Sequence, residues 1–141
     1  MRSTATRTVS VPVETVWSVL ADHEGMRNWA PGVGARVTKA GSDERNGLGA
    51  VREISAPLPV PAIVEEITEF APPHRLAYRA LAGIPLRNYR GDVELSASGE
   101  GTVVRYSISA DSRLPLVGKA VTRAIAVALL AALVRQARKA A

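Results

Sequence analysis

The sequence contains no cysteine and only two histidines among its 141 residues. The absence of thiols excludes disulfides, cysteine-ligated zinc, iron–sulfur clusters and thiol nucleophiles. His23 and His74 lie too far apart along the chain to form a local metal-binding motif, so carboxylates alone would have to hold an ion. We therefore expect neither a metal nor any other cofactor in this protein.

Aromatic residues and long apolar runs are also scarce. Aromatic residues make up 4% of the chain, and the basic residues behind its net charge of +5 are scattered rather than gathered on one face, so nucleic-acid binding is not expected. The longest apolar run, Ala124–Val134, is far shorter than the ~20 residues that cross a bilayer, so stable membrane insertion is not expected. The first residues lack the apolar stretch of a secretory signal, which favours a cytoplasmic location.

The patterns that are present predict a single α+β domain over residues 1–141. A strand near residues 8–11 precedes a helix over Val13–Ala21 and a second short helical piece over Glu24–Trp29. Six further strands are predicted at Ala35–Ala40, Ala50–Ala56, Ile63–Phe70, Arg75–Leu81, Arg87–Ser96 and Val103–Ala110. One long helix, Leu116–Lys139, closes the chain. We expect a curved antiparallel sheet of about seven strands wrapped on this helix.

Strand alternation places all three tyrosines on the inner face of the predicted sheet. Tyr78, Tyr89 and Tyr106 share the parity of the apolar residues on their strands, and Arg87 shares the parity of Tyr89. A buried tyrosine hydroxyl needs a hydrogen-bonding partner. The three tyrosines are therefore either hydrogen-bonded core residues or groups that orient a ligand.

Two charged residues also fall on inward positions. If the hairpin folds about Leu58-Pro59, Arg52 and Glu65 lie opposite each other on adjacent strands. A shift of one residue would turn Val51 and Val64 inward instead. An inward Arg52 and Glu65 imply a mutual ion pair or a wet cavity, because a buried charge must be paired or solvated.

The terminal helix provides a second indication of an internal cavity. Its predicted sheet-facing positions are Val117, Val121, Ile125, Leu129 and Leu133. Alanine occupies many of the remaining positions, and such small side chains against a curved sheet would leave a cavity or allow close helix packing. Trp29, which lies shortly before Pro31, is a candidate for the pocket entrance.

These residues resemble the START/helix-grip (SRPBCC) superfamily, which includes START lipid-transfer domains, the birch-pollen allergen type and bacterial polyketide cyclase/dehydrase and lipid-transport proteins. The matching segments are Val13–Trp17, Leu20–Asp22, Trp29 with Pro31-Gly32, Gly49–Glu53, Glu65–Phe70 with Pro72-Pro73, Leu76–Tyr78 and the final helix. The resemblance covers nearly the whole chain and implies the helix-grip fold. None of the matching residues is catalytic, so the resemblance specifies the fold better than the activity.

Within that superfamily, the middle of the chain resembles the plant abscisic-acid receptors. Their gate and latch loops correspond to Ala56–Pro59 and Ile84–Tyr89, and this resemblance implies that Glu65 and Tyr89 touch a ligand. Ile84-Pro85 replaces the His-Arg of the receptors' latch. The lysine that binds the hormone in the receptors corresponds to a position near Pro31 here. Hormone reception is therefore not implied, but two proline-stiffened loops over a pocket mouth are.

Three functions are left open. The first is binding of a small hydrophobic or amphipathic molecule, such as a lipid, isoprenoid or polyketide, between sheet and helix. The second is a polyketide aromatase or cyclase, in which Arg52 or Arg87 stabilises an enolate and a tyrosine moves protons. The third is dimerisation or membrane-surface contact through the terminal helix, by Val127, Leu130 and Val134. The candidate ligand-binding residues are Trp29, Arg52, Glu65, Tyr78, Arg87, Tyr89, Tyr106, Val121 and Ile125, and no catalytic residue is assigned.

Overall fold

The structure, a computed structural model, describes residues 1–141. Its elements are β1 (Arg2–Val9), α1 (Val13–Ala21), a 3₁₀ helix (Glu24–Asn28), β2 (Gly34–Lys39), β3 (Val51–Ser55), β4 (Ile63–Ala71), β5 (Arg75–Ala82), β6 (Arg87–Ser98), β7 (Gly101–Asp111) and α2 (Pro115–Ala140). The order of helices and strands is the predicted one. The second short helix is a 3₁₀ helix, and β1 begins several residues before the predicted strand.

The seven strands form one antiparallel sheet in the order β1-β7-β6-β5-β4-β3-β2. From β2 to β7 each strand pairs with its neighbour in sequence, as short connections between strands predict. Only β1 departs from this pattern, because it pairs with β7 along its whole length, from Arg2 opposite Ser109 to Val9 opposite Thr102. The predicted seven-stranded antiparallel sheet is confirmed.

The long helix α2 packs against β1, β7 and α1. Its buried residues are Gly118, Thr122, Ala126, Leu130, Leu133, Val134 and Ala137. Near the start of the helix the approach to the sheet is close, because the Thr122 hydroxyl is hydrogen-bonded to that of Ser3 at 2.9 Å. A Cβ on Gly118 would overlap Ser112, so only glycine fits at that position. Small residues therefore form the contact surface at this end of α2.

The face of α2 that the sequence predicts to be buried is rotated from the face that is buried in the structure. Val117 and Val121 are exposed, Ile125 is half-buried, and of the five predicted sheet-facing residues only Leu133 is fully buried. The prediction chose the row of largest side chains, whereas in the first half of the helix the close approach to β1 buries the neighbouring row, Gly118, Thr122 and Ala126.

The prediction that three residues of α2 face outward and form a dimer or membrane contact is also largely wrong. Leu130 and Val134 are 4% and 1% exposed because they pack into the core, and only Val127 of the three is exposed. By length and composition α2 is apolar enough to cross a membrane. In this fold the helix packs on the sheet and α1, and its C-terminal half carries most of its buried residues.

Candidate functional site

A buried ion pair lies on the inner face of the sheet. Arg52 of β3 and Glu65 of β4 are Cα partners in the register, as the hairpin geometry predicts, and the alternative register is excluded. Arg52 Nε donates to Glu65 Oε1 at 2.8 Å, and Nη2 lies 2.7 Å from the same oxygen. Their side chains are only 3% and 5% exposed. Burial is the largest single influence and opposes the charge on Arg52, but the attraction of Glu65, together with Tyr78, Tyr106 and the hydrogen bond to Glu65, outweighs it and raises the pKa of the guanidinium.

His23 extends this pair into a network. Its Nδ1 accepts a hydrogen bond from Arg52 Nη1 at 3.1 Å, and its Nε2 lies 2.8 Å from the carbonyl oxygen of Asn46. Because Arg52 can only donate, His23 carries its proton on Nε2 and is neutral. Burial, followed by the charge of Arg52, lowers the pKa of His23 from 6.5 to about 4. The imidazole therefore positions Arg52 rather than acting as a charged group at neutral pH.

The three tyrosines adjoin the ion pair. Arg52 Cζ lies 4.6 Å from the centre of the Tyr78 ring, and the Tyr78 hydroxyl is hydrogen-bonded to that of Tyr106 at 2.8 Å. Gly91 of β6 makes room for this arrangement, because a Cβ there would overlap the Tyr78 ring. The neighbouring Tyr89 is 4% exposed. Arg52 is therefore held by a carboxylate, an imidazole and an aromatic face at once.

All three tyrosine hydroxyls are protonated at neutral pH. Burial is the largest cause in each case: it raises the pKa of Tyr106 to about 12 and also raises the pKa values of Tyr78 and Tyr89. The charge of Arg52 opposes the shift without cancelling it. The cluster can therefore donate hydrogen bonds to a carbonyl or hydroxyl of a bound molecule, and none of the three tyrosines is poised as a general base.

The structure brings together five of the nine predicted site residues and separates the others. Arg52, Glu65, Tyr78, Tyr89 and Tyr106 form the cluster described above. Trp29 is buried, and its carbonyl oxygen accepts a hydrogen bond from Arg135 of α2 at 2.6 Å. Trp29 therefore ties the 3₁₀ helix to α2.

The other three predicted residues lie outside the cluster. Arg87 is exposed, which corrects the prediction that it faces inward. The register of β6 shifts between Arg87 and Arg90, and Asn88 has a φ of 53°. This bulge breaks the alternation on which the prediction relied. Val121 is exposed and Ile125 is half-buried, because the contact face of α2 is rotated from the predicted one.

His23 is the member of the network that sequence reasoning did not assign. It follows α1 in an irregular segment, so no periodicity indicates where its side chain points. Its partners Asn46 and Arg52 lie far along the chain and meet it only in the folded protein. Nothing in the local sequence would have identified it.

Two pockets on the surface lie away from this cluster. One, of about 840 Å³, is formed by the connection between β1 and α1 and by the β6–β7 hairpin. The other, of about 480 Å³, lies between α1 and the end of α2. Neither is lined by Arg52, Glu65 or any tyrosine. The predicted cavity between sheet and helix therefore stays a prediction.

The architecture is the helix-grip fold of START and birch-pollen-allergen-like proteins. A START superfamily protein from Mycobacterium smegmatis superposes with a TM-score of 0.80 at 15% identity, with 99% of each chain covered. The protein Ara h 8.0201 gives a TM-score of 0.77 at 14% identity, covering 99% of this chain and 98% of the other. A protein from Thermus thermophilus gives 0.75 at 22% identity, covering 100% and 99%. These likenesses establish the fold.

The family follows from the sequence match. Residues 1–140 match the family described as "Polyketide cyclase / dehydrase and lipid transport", and the chain belongs to this family. No curated protein matches the chain. The resemblance drawn from the sequence motifs is thereby confirmed at the level of fold and family.

Proposed function

We propose that this protein binds a small hydrophobic or amphipathic molecule, of the lipid, isoprenoid or polyketide type, against the inner face of its sheet. The observation that carries the proposal is the cluster of Arg52, Glu65 and three tyrosines within a largely apolar interior. Family membership and the helix-grip fold, which are typical of ligand-binding domains, support it.

The chemistry of the cluster suits a ligand with one polar end. Burial of the apolar part would supply most of the affinity, at about 25 cal/mol per Å² before the costs of association. A carbonyl or hydroxyl group would accept hydrogen bonds from neutral tyrosine hydroxyls held near a permanent positive charge. Tyr89 is the favoured contact, because it is the least buried of the three tyrosines, and the hydroxyls of Tyr78 and Tyr106 already bond each other at 2.8 Å.

Native mass spectrometry of the purified protein tests the proposal directly. We expect a co-purifying apolar molecule, or binding to members of a panel of fatty acids, isoprenoids and polyphenols. Tyr89→Phe should then weaken binding by about 1 kcal/mol, through loss of one hydrogen bond. Arg79→Ala on the outer face is the matched control and should leave affinity unchanged. No bound molecule and no binding across the panel would refute the proposal.

A polyketide cyclase is the second candidate, and the permanent charge of Arg52 beside tyrosine hydroxyls favours it. Arg52 would stabilise an enolate, and a tyrosine would supply a proton rather than remove one, since its pKa is raised. The two candidates differ in one measurement. For a cyclase, Tyr89→Phe should lower turnover and largely keep affinity, whereas for a carrier only affinity should change.

A further inference from the structure

The exposed apolar side chains of this protein gather at one edge of the fold. Seven of the nine large apolar side chains that are exposed belong to this group: Leu58, Val60, Leu81, Leu114, Leu116, Val117 and Val121. The two exceptions are Leu48 and Val127. Leu116 is 86% exposed and Leu58 66%, values that are unusual for side chains of this kind.

The topology places these seven residues together. In an antiparallel sheet, alternate connections lie at the same end of the strands. The β3–β4, β5–β6 and β7–α2 connections therefore lie together at one end of the sheet. Gly83 lies directly against the backbone of Ala62, which joins the first two connections. Asn88 at the start of β6 donates to Asp111 at the end of β7 at 2.7 Å, which joins the last two. We call residues 56–62, 81–89 and 111–124 the apolar edge.

The charges of the apolar edge are almost all positive. It contains Arg87, Arg113, Lys119 and Arg123, all of which are exposed and none of which forms an ion pair, although four other arginines on the protein surface pair with carboxylates. Its one acid, Asp111, is already hydrogen-bonded to Asn88. Exposed leucines flanked by unpaired basic residues match the interface of an anionic bilayer, which accepts apolar side chains and attracts cations.

We propose that the apolar edge docks on the surface of an anionic lipid bilayer, with Leu114 and Leu116 entering the interface and the basic residues contacting lipid headgroups. Prolines 57, 59, 61, 85 and 115 stiffen the connections, so little chain entropy is lost when they dock. The proposal does not depend on the identity of an internal ligand.

Vesicle co-sedimentation tests this proposal. The full chain is mixed with vesicles of phosphatidylcholine containing phosphatidylglycerol and with vesicles of phosphatidylcholine alone. We expect binding to the anionic vesicles that weakens at high salt, and much weaker binding to the neutral ones. No binding of the unaltered protein to either vesicle would overturn the proposal.

Charge reversal locates the contact. One basic residue near an anionic surface contributes about fivefold in affinity, so Arg113→Glu with Arg123→Glu should weaken binding by about 25-fold or more. Arg7→Glu with Arg138→Glu is the matched control, since both of these arginines are exposed, unpaired and outside the apolar edge. Equal losses in the two double variants would mean that charge acts diffusely and that the apolar edge is not the contact.

Removal of the leucines tests the apolar part. Leu114→Ser with Leu116→Ser should weaken binding about tenfold at low and high salt alike, and the fold should tolerate both changes because these side chains are exposed. Leu48→Ser with Val127→Ser is the matched control and should change binding less than about twofold. If the leucine variant instead converts a dimer to a monomer in light scattering and leaves vesicle binding intact, a second copy of the chain occupies this edge and the proposal is wrong.

Discussion

Removal of Arg52 is the most decisive perturbation of the interior. Arg52→Ala leaves the Glu65 carboxylate buried, with its side chain 5% exposed, and takes the hydrogen-bond donor from His23 Nδ1. Breaking a buried ion pair by removing one partner costs about 3–5 kcal/mol. We expect a loss of about 3 kcal/mol in the free energy of unfolding. Urea denaturation followed by circular dichroism measures it.

The sheet offers a matched control on the opposite face. Glu66 follows Glu65 on β4 and pairs with Arg79 at 2.8 Å, but these side chains are 26% and 52% exposed. Arg79→Ala should therefore cost only about 0.5 kcal/mol, as is typical of a surface ion pair. Equal and small losses for Arg52→Ala and Arg79→Ala would refute the reasoning, because the inner pair would then be no better shielded from water than the outer one.

A double variant separates the cost of an unpaired charge from the value of the pair. Arg52→Met with Glu65→Leu replaces both groups by apolar side chains of similar length. It should recover most of the stability lost in Arg52→Ala, because replacing a whole buried pair is often neutral or stabilising. A double variant as unstable as the single one would show that packing of the Arg52 stem, rather than its charge, accounts for the loss.

Three further changes probe the surroundings of Arg52. Since the folded pKa of His23 is about 4 against an ordinary value of 6.5, the unfolded chain takes up a proton first as pH falls, and unfolding free energy should drop by about 2 kcal/mol between about pH 7 and about pH 5. Urea melts across that range should show a flatter profile for His23→Gln. Gly91→Ala should lower stability by about 2 kcal/mol in the same assay, because its Cβ would overlap the Tyr78 ring. Tyr106→Phe, which deletes the hydroxyl bonded to Tyr78, should cost about 1 kcal/mol.

The residues that sequence reasoning located correctly are those whose positions follow from local rules. Strand alternation turns Tyr78 and Tyr106 inward, and hairpin pairing sets Arg52 opposite Glu65, so periodicity and turn position suffice for both. Arg87 is exposed because the bulge at Asn88 breaks the alternation, and a bulge has no reliable sequence signature.

The errors on α2 and the omission of His23 have a different cause. A helix shows which of its faces is apolar, but the apolar positions of α2 cover more than one face, and the close approach to β1 decides which face is buried. His23 joins Arg52 through contacts distant in sequence, which single-sequence patterns do not encode. Features that depend on contacts between distant parts of the chain are the ones that local sequence patterns do not predict.

The buried cluster and the apolar edge are both costly features. A buried ion pair is no more stabilising than apolar packing, and exposed leucines favour unwanted association. The two features are also neighbours, since Tyr89 is the last residue of one segment of the apolar edge and Glu65 is the third residue of β4, which follows another. A molecule that left a bilayer there would meet these two residues first. On this reasoning, ligand binding and membrane docking depend on different residues. The Arg52 and Glu65 double variant should lose the ligand and keep vesicle binding. The Leu114 and Leu116 double variant should lose vesicle binding and keep the ligand.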